Sequence, residues 1–347
     1  MSKPTTPALS TVNSTLYYWK TFQFIFWLVG ISLIAIMFSF PDLGVTLFWN
    51  ILIPIAPALF VVGTGIWRNI CPLATIALFP DKMGISKQKK LSNGQRNVLN
   101  LIGVVALFAI IPMRHILFDR NGLATALIVI IIGASAFFIG FFYERKSGWC
   151  SGVCPIHPVE KLYGSGVALT LPNAHCNECV RCSVPCPDST PNSNAKTAKN
   201  NWAQTGVEYF IVGAFPGYVW GWFHVDDFTG FTGWNNLAYV YGIPLMSAVI
   251  SLCIYLILRL IVNHGGQKTL VNAFAAAAVS IYYWYRLPML FGWTDHQTNG
   301  VLINLTHILP SWTPIILNIY TTTFFVWWLV GRPRNKKSWA IRPAYAK

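Results

Sequence analysis

LATALIVIIIGASAFFIGFFY, residues 123–143, contains no charged side chain and is flanked by Asn121-Gly122 before it and Glu144-Arg145 after it. A helix rises about 1.5 Å per residue, so this run can cross the ~30 Å hydrocarbon core of a bilayer. Comparable runs lie at 18–39, 45–64 and 97–113 on its N-terminal side. On its C-terminal side they lie at 206–223, 237–262, 269–291 and 302–330. The run at 206–223 is the most diluted, by Glu208, Pro216 and its glycines. The pattern predicts an all-α polytopic membrane protein with about eight transmembrane helices and the lipid bilayer as its solvent.

Composition points the same way. Of the 347 residues, 54% are hydrophobic, 15% aromatic and only 10% charged, with a mean hydropathy of +0.49. A typical soluble domain is about 25% charged. The net charge of +14 does not signal nucleic acid, because the basic residues sit in loops and tails and form no face interleaved with stacking aromatics. Residues 1–20 run into the first apolar stretch with no small-residue cleavage site, which reads as a retained first helix.

Eight crossings put both termini on one side, together with the loops 65–96, 145–205 and 263–268. Of the 25 Lys and Arg, all except Arg114, Arg120 and Arg286 fall there. Such a bias makes that side cytoplasmic, in an inner membrane of bacterial type. The expected organisation is then helices one to four with the cytoplasmic loop 65–96 (1–144), a cysteine-rich cytoplasmic loop (145–205), helices five to eight (206–331) and a basic tail (332–347).

The chemistry sits in HCNECVRCSVPCP, residues 175–187, where Cys176, Cys179, Cys182 and Cys186 are spaced C-x2-C-x2-C-x3-C-P. Iron in a cubane takes soft thiolates, and the tight first three sulfurs turn onto three corners of one cluster. The longer step before proline swings the fourth sulfur away, toward another cluster. Disulfides do not suit a reducing cytoplasm or so dense a spacing. A third cysteine at the same step and the Cys-Pro ending fit zinc poorly.

Two echoes lie upstream. GWCSGVCP (148–155) places Cys150 and Cys154 as C-x3-C-P, and GIWRNICP (65–72) aligns Cys71 with Cys154 and Trp67 with Cys150. All seven of these cysteines face one compartment; Cys253 lies within a span and reads as a small packing residue. One scheme gives Cys154 to the cluster on Cys176, Cys179 and Cys182, leaving Cys71, Cys150 and Cys186 for a second 4Fe-4S cluster. Two cubanes take one ligand more, which His157, water or a partner would supply. A three-iron second cluster, or a single cluster, is the alternative.

These motifs resemble a known family: the membrane-bound ferredoxin-type proteins linked to periplasmic nitrate reductase and to methylamine dehydrogenase maturation. They also resemble the polyferredoxin halves of the nitrous oxide reductase regulator and of cytochrome oxidase accessory proteins. The likeness covers 65–75 and 148–187. It implies electron relay between the quinone pool or cytoplasm and a membrane or periplasmic redox partner, within a multi-subunit membrane complex. The same likeness implies, as an alternative, a maturation factor for another metalloenzyme. This chain departs from the pattern in having one complete ferredoxin motif, Trp67 in place of a cysteine, and additional spans after 205.

Polar residues gather near the opposite ends of the spans: Arg114, His115, Asp119 and Arg120; His224, Asp226 and Asp227; Asp295 and His296; and, deeper, Arg286 and His307. Ionisable groups inside spans are costly and mark candidate sites. His115, His224, Arg286 and His296 are the candidates for a second redox site holding haem or quinone. Arg286 reads equally as a snorkelling side chain or as the partner of Asp295. No phosphate-binding glycine loop, nucleophile–base pair or catalytic carboxylate pair stands in the sequence. That favours an electron-transfer component over a self-contained enzyme; a cluster that only staples loops together is a third reading.

Overall fold

The computed structural model describes residues 9–144, 146–164, 169–175, 201–228, 232–293, 300–332 and 340–341, and most of them are helical. In chain order the helices begin with α1 (Leu9–Ser39), α2 (Pro41–Val62, with a π turn at Leu47–Leu52), α3 (Thr64–Ile70) and α4 (Pro72–Lys82). Next come α5 (Asn93–Ile110), α6 (Gly122–Phe142), α7 (Ile156–Tyr163) and α8 (202–223, with a π turn at Tyr209–Ala214). The last three are α9 (Leu237–Ile261), α10 (Gln267–Leu290) and α11 (Thr313–Gly331). Their starts follow local chemistry. Ser92 and Gln95 form a capping box at α5, Asn121 caps α6 through the Ala124 amide, and Asn201 caps α8. Extended pairing among the described residues consists of Leu171–Pro172 beside Ala340–Ile341 and an isolated bridge between Lys89 and Tyr143.

Six helices, α1, α2, α5, α6, α9 and α11, are long and apolar enough to cross a bilayer. Their outer faces present Phe24, Val29, Ile131, Met246, Ile254 and Ile316 to the surroundings. Apolar surface this continuous is stable against lipid and not against water. The chain is an integral membrane protein.

The runs at 206–223 and 269–291 are helical as well, in α8 and α10, but neither has the hydropathy of the other six. Both lie inside the bundle: α8 buries Val207, Ile211, Val212, Tyr218 and Trp222, and α10 buries Val271, Ala275, Ala276, Val279 and Tyr283. A helix that faces protein on most sides need not be apolar all round, which is why their sequences carry Glu208, Asn272 and Arg286. The run at 302–330 is a correction. Its helix begins only at Thr313, and residues 302–305 fold back over the end of α10, with the Leu302 and Ile303 amides bonded to the Leu290 carbonyl at 2.9 and 3.0 Å. Pro310 and Pro314 oppose a helix through this stretch, since each lacks an amide donor.

The interior helices are held by close backbone contact and a few buried hydroxyls. Gly213, Gly217 and Gly221 recur every fourth residue on α8 and lie against Leu252, Tyr255, Ser247 and Pro244 of α9. Small residues at this spacing let two helices approach when lipid supplies no hydrophobic drive between them. The Ser251 hydroxyl donates to the Gly213 carbonyl at 2.7 Å, and Tyr255 and Arg259 both donate to Glu208 Oε1, at 2.6 and 2.9 Å. On α10 the Tyr283 hydroxyl accepts from the Ala58 amide and donates to the Pro54 carbonyl, at 2.9 and 2.6 Å. It thereby occupies the i→i−4 position where α2 would bond to itself.

A Cβ added at Gly217 would collide with the Ser247 carbonyl, whereas one added at Gly242 meets nothing within 4 Å. Gly217→Leu is therefore expected to abolish the monodisperse peak of detergent-solubilised protein on size exclusion, and Gly242→Leu to preserve it. Equal behaviour of the two variants would refute this account of the α8–α9 contact.

Candidate functional site

Cys71 and Cys154 stand at equivalent places in the fold. Each precedes a proline and starts a short helix, Cys71 before α4 and Cys154-Pro155 before α7. Proline suits that first position because its missing amide would be unpaired there anyway. The amides of Ala74 and His157 face the two sulfurs and favour their anionic forms, although the Ala74 contact falls short of a full side-chain cap. Cys150 lies on the π turn Lys146–Val153 that leads into Cys154. The three sulfur-bearing residues belong to one apolar cluster with Ala74, Ala77, Ala136 and Trp149. None of the three is in a disulfide.

Two glycines bring the walls of this cluster together. A Cβ at Gly103 of α5 would land on the Val153 carbonyl, and one at Gly140 of α6 on the Ala77 carbonyl. The cradle is consequently dry. Cys150 and Cys154 are 2% and 8% exposed.

A charged network lies against it. Glu160 Oε1 accepts from Trp67 Nε1 at 2.7 Å; Oε2 accepts from Arg68 Nη1 at 3.0 Å and lies 3.2 Å from His157 Nδ1. Burial alone would raise the Glu160 carboxyl, but Arg68, His157 and Trp67 outweigh it and hold it at about 2. The pair thus contributes fully above about pH 4.5 and loses its contribution only as the pH falls toward about 2. Burial lowers the His157 imidazole to about 4. Burial and the Glu160 charge push the Cys71 thiol up to about 12 and the Cys154 thiol well above its ordinary value.

The same dipeptide that supplies Arg68 docks the segment leading into the ferredoxin-type motif. Asn69 donates to the Pro172 carbonyl and accepts from the Ala174 amide, both at 2.9 Å. His175 Nε2 lies 2.9 Å from the Arg68 carbonyl, and its Nδ1 lies 3.5 Å from Gln23 Nε2 of α1. Gln23 also donates to the Asn69 carbonyl at 2.8 Å. A carbonyl partner at Nε2 and an amide partner at Nδ1 fix the neutral Nε2–H tautomer.

Of the candidate ligands, Cys71, Cys150 and Cys154 come together, whereas Cys176, Cys179, Cys182 and Cys186 lie outside the described residues. His157 lies beside them through Glu160. Soft, buried, unoxidised sulfurs at two helix starts suit iron or another thiophilic metal. Among the described residues no three His, Cys, Asp or Glu side chains close on a single ion. Cys253 faces out of α9 and does not pack inside the bundle. Glu160, Arg68, Asn69, His175 and Gln23 were not singled out in the sequence. The spacing of Cys154, His157 and Glu160, three residues apart, was the available signal for one of them.

At the other end His115 and Arg286 are both buried, while His296 and Asp295 lie outside the described residues. His115 Nδ1 lies 2.7 Å from Asp227 and Nε2 lies 3.0 Å from the Trp222 carbonyl, so neither nitrogen is left for a haem iron. Arg286 donates to the Trp49 carbonyl at 2.6 Å and to Asn50 at 2.5 Å. His224 stacks on Trp220 with ring centroids 3.8 Å apart and meets the Tyr285 ring edge-on at 5.2 Å. Arg114 bonds Asp119 at 2.7 Å and lies between the rings of Trp49 and Trp222. Comparison with known proteins gives no match to a family model, a curated protein or a solved structure.

Removing Glu160 alone leaves the Arg68 cation buried without its carboxylate, a loss of about 3–5 kcal/mol in comparable cases. Glu160→Ala is expected to lower the thermal unfolding temperature in detergent substantially. The double variant Arg68→Met, Glu160→Leu should recover much of it, because an apolar pair of similar volume needs no compensation. A single variant as stable as the parent would contradict this reading of the network.

Proposed function

We propose that this chain is an electron-transfer subunit of a membrane redox system, binding four-iron clusters through Cys71, Cys150, Cys154, Cys176, Cys179, Cys182 and Cys186. The observation that carries the reading is the docking of residues 172–175 onto Arg68 and Asn69. The C-x2-C-x2-C-x3-C-P motif begins at the next residue in the sequence, which lies outside the described residues. Two Cys-Pro helix starts at one end of the bundle, with the segment that precedes the C-x2-C-x2-C-x3-C-P motif docked there, support this reading.

Bound there, an iron–sulfur cluster supplies one-electron storage and release. The protein side chains set its surroundings. Trp149 and the alanines at 74, 77 and 136 exclude water from the sulfurs. Arg68 interacts electrostatically with Cys71, Cys150 and Cys154, and its positive charge would offset that of their thiolates. The amides of Ala74 and His157, at helix N-termini, favour anionic sulfur further.

We read eight crossings, with α8 and α10 as inner helices, and with both termini and the cysteine loops in the cytoplasm. The distribution of Lys and Arg supports this sidedness, as does the pairing of 171–172 with 340–341, which joins the basic tail to the cysteine end. Lys82, Lys87, Lys89 and Lys90 are exposed on the loop after α4. Such a surface suits an acidic redox protein as electron donor or acceptor.

The deciding experiment is anaerobic purification with iron and acid-labile sulfide quantitation, followed by EPR of the reduced protein. The expected result is a brown protein with matched iron and sulfide, a reversible one-electron signal, loss of most cluster absorbance in Cys179→Ser and partial loss in Cys71→Ser. A folded, colourless, iron-free parent protein would end the proposal.

A further inference from the structure

We propose that the loop after α4 holds anionic phospholipid headgroups at the membrane surface through Lys87, Lys89 and Lys90; the iron–sulfur reading plays no part in this. The span α6 ends at Phe142, where its apolar run ends too. The last four carbonyls of a helix have no partner within it beyond a continuing chain, and lipid offers them none. The Tyr143 amide takes the Ile139 carbonyl at 2.8 Å, and the loop takes the other three. The Ser86 hydroxyl donates to the Gly140 carbonyl at 2.7 Å. The Lys87 and Lys89 amides donate to the carbonyls of Phe141 and Phe142, at 2.7 and 3.2 Å.

This cap fixes the loop at one depth. The Glu144 amide donates back to the Lys89 carbonyl at 3.0 Å. Gln88 has a φ of 45°, and its side chain donates to Asp81. A left-handed conformation at a residue other than glycine persists where the surroundings hold it. The loop therefore stands where an apolar span gives way to polar chain, which is the headgroup level of a bilayer. Lys87 Nζ lies 5.0 and 5.4 Å from the ring centroids of Phe142 and Phe141, so its charge sits over the end of the span.

Charge and apolar surface together name the occupant. The stretch MGISKQKKLS, residues 83–92, carries three lysines and no acid, and all three lysines are exposed. A lysine at an anionic membrane surface is worth about 1 kcal/mol, or about five-fold in affinity. Met83 and Ile85 of the same stretch are exposed as well, as is Phe79 on the last turn of α4. In water these three side chains gain nothing. At a bilayer surface they enter the boundary of the acyl chains while the lysines reach the phosphates above them. An acidic protein suits the same lysines and leaves the apolar side chains unmatched, whereas an anionic phospholipid matches both.

The test places a photocrosslinker in the loop, as Ile85→p-benzoylphenylalanine, in the full-length protein. The protein is reconstituted into vesicles of equal phosphatidylcholine and phosphatidylglycerol. Lipid adducts are expected, with phosphatidylglycerol exceeding phosphatidylcholine about five-fold or more. With Lys87→Gln, Lys89→Gln and Lys90→Gln added, the two lipids should be captured equally. The same three positions changed to arginine should keep the excess, which separates charge from any effect on folding. Inorganic phosphate in the aqueous phase should leave the ratio unchanged, because the phosphate bound is that of the lipid. Absence of lipid adducts, equal capture in the parent, or an excess that survives the glutamine changes overturns the inference. Displacement of the phosphatidylglycerol adducts by added polyglutamate also overturns it, and gives the surface to an acidic protein.

Discussion

The ion pair between Arg68 and Glu160, 4% and 2% exposed at their side chains, is the constraint on which the cysteine end of the molecule depends. Two opposite charges taken out of water cost several kcal/mol each, and only tight geometry with further hydrogen bonds offsets that. Both conditions are met, because Trp67 and His157 share the carboxylate while Arg68 presents its guanidinium. The pair also ties the two arms of the repeat together, since Arg68 belongs to the helix before Cys71 and Glu160 to the helix after Cys154. Separating these arms would expose both charges to an apolar surround. Small helices that could not persist alone are thereby held where their first residues face one another.

The backbone of the same dipeptide extends the effect beyond the pair. The Arg68 carbonyl and the Asn69 side chain bind residues 172–175, and Gln23 of α1 closes the arrangement from the membrane side. A polar glutamine that is 4% exposed in a span is costly against lipid, and here it is satisfied by the Asn69 carbonyl. The first transmembrane helix, the upstream repeat and the entry to the ferredoxin-type motif are thus coupled through a handful of directional bonds.

Much of this architecture was legible because a bilayer imposes a simple demand. Residues 123–143 read as a helix from composition alone, since lipid accepts only a long apolar run with its backbone bonds satisfied internally. The demand relaxes where a helix meets protein, so α8 read weakly: Glu208 diluted its signal, and Tyr255 and Arg259 make that residue tolerable, as Trp49 and Asn50 do for Arg286 of α10. The glycines at 213, 217 and 221, which lowered the hydropathy of their run, are the contact surface that lets it pack. Of the seven cysteines read as ligands, the structure brings Cys71, Cys150 and Cys154 together, and the C-x2-C-x2-C-x3-C-P motif lies outside the described residues. Glu160 was not legible, because its partners Trp67 and Arg68 lie more than ninety positions away and no spacing rule connects them. The non-helical start of the last run was missed because its apolar residues, Leu302, Ile303, Ile308 and Leu309, satisfy a hydropathy criterion whatever their backbone does.

The charge balance of the cradle bears on the order of assembly. With three thiolates and one carboxylate, the site would hold far more negative charge than Arg68 cancels, in a place from which water is excluded. Burial and the Glu160 charge favour the protonated form of Cys71, pushed up to about 12, and of Cys154. On the proposed iron–sulfur reading, ligation would require those protons to leave, and a positively charged metal group would make their departure favourable. Packing of Gly103 on Val153 and of Gly140 on Ala77 then closes the walls around it. A group loaded before the walls close would meet thiols with near-ordinary acidity; one loaded afterwards would face both the raised thiols and the loss of an entry route. Loading while the loops are still open is the order that this arrangement of sulfurs, glycines and one arginine favours.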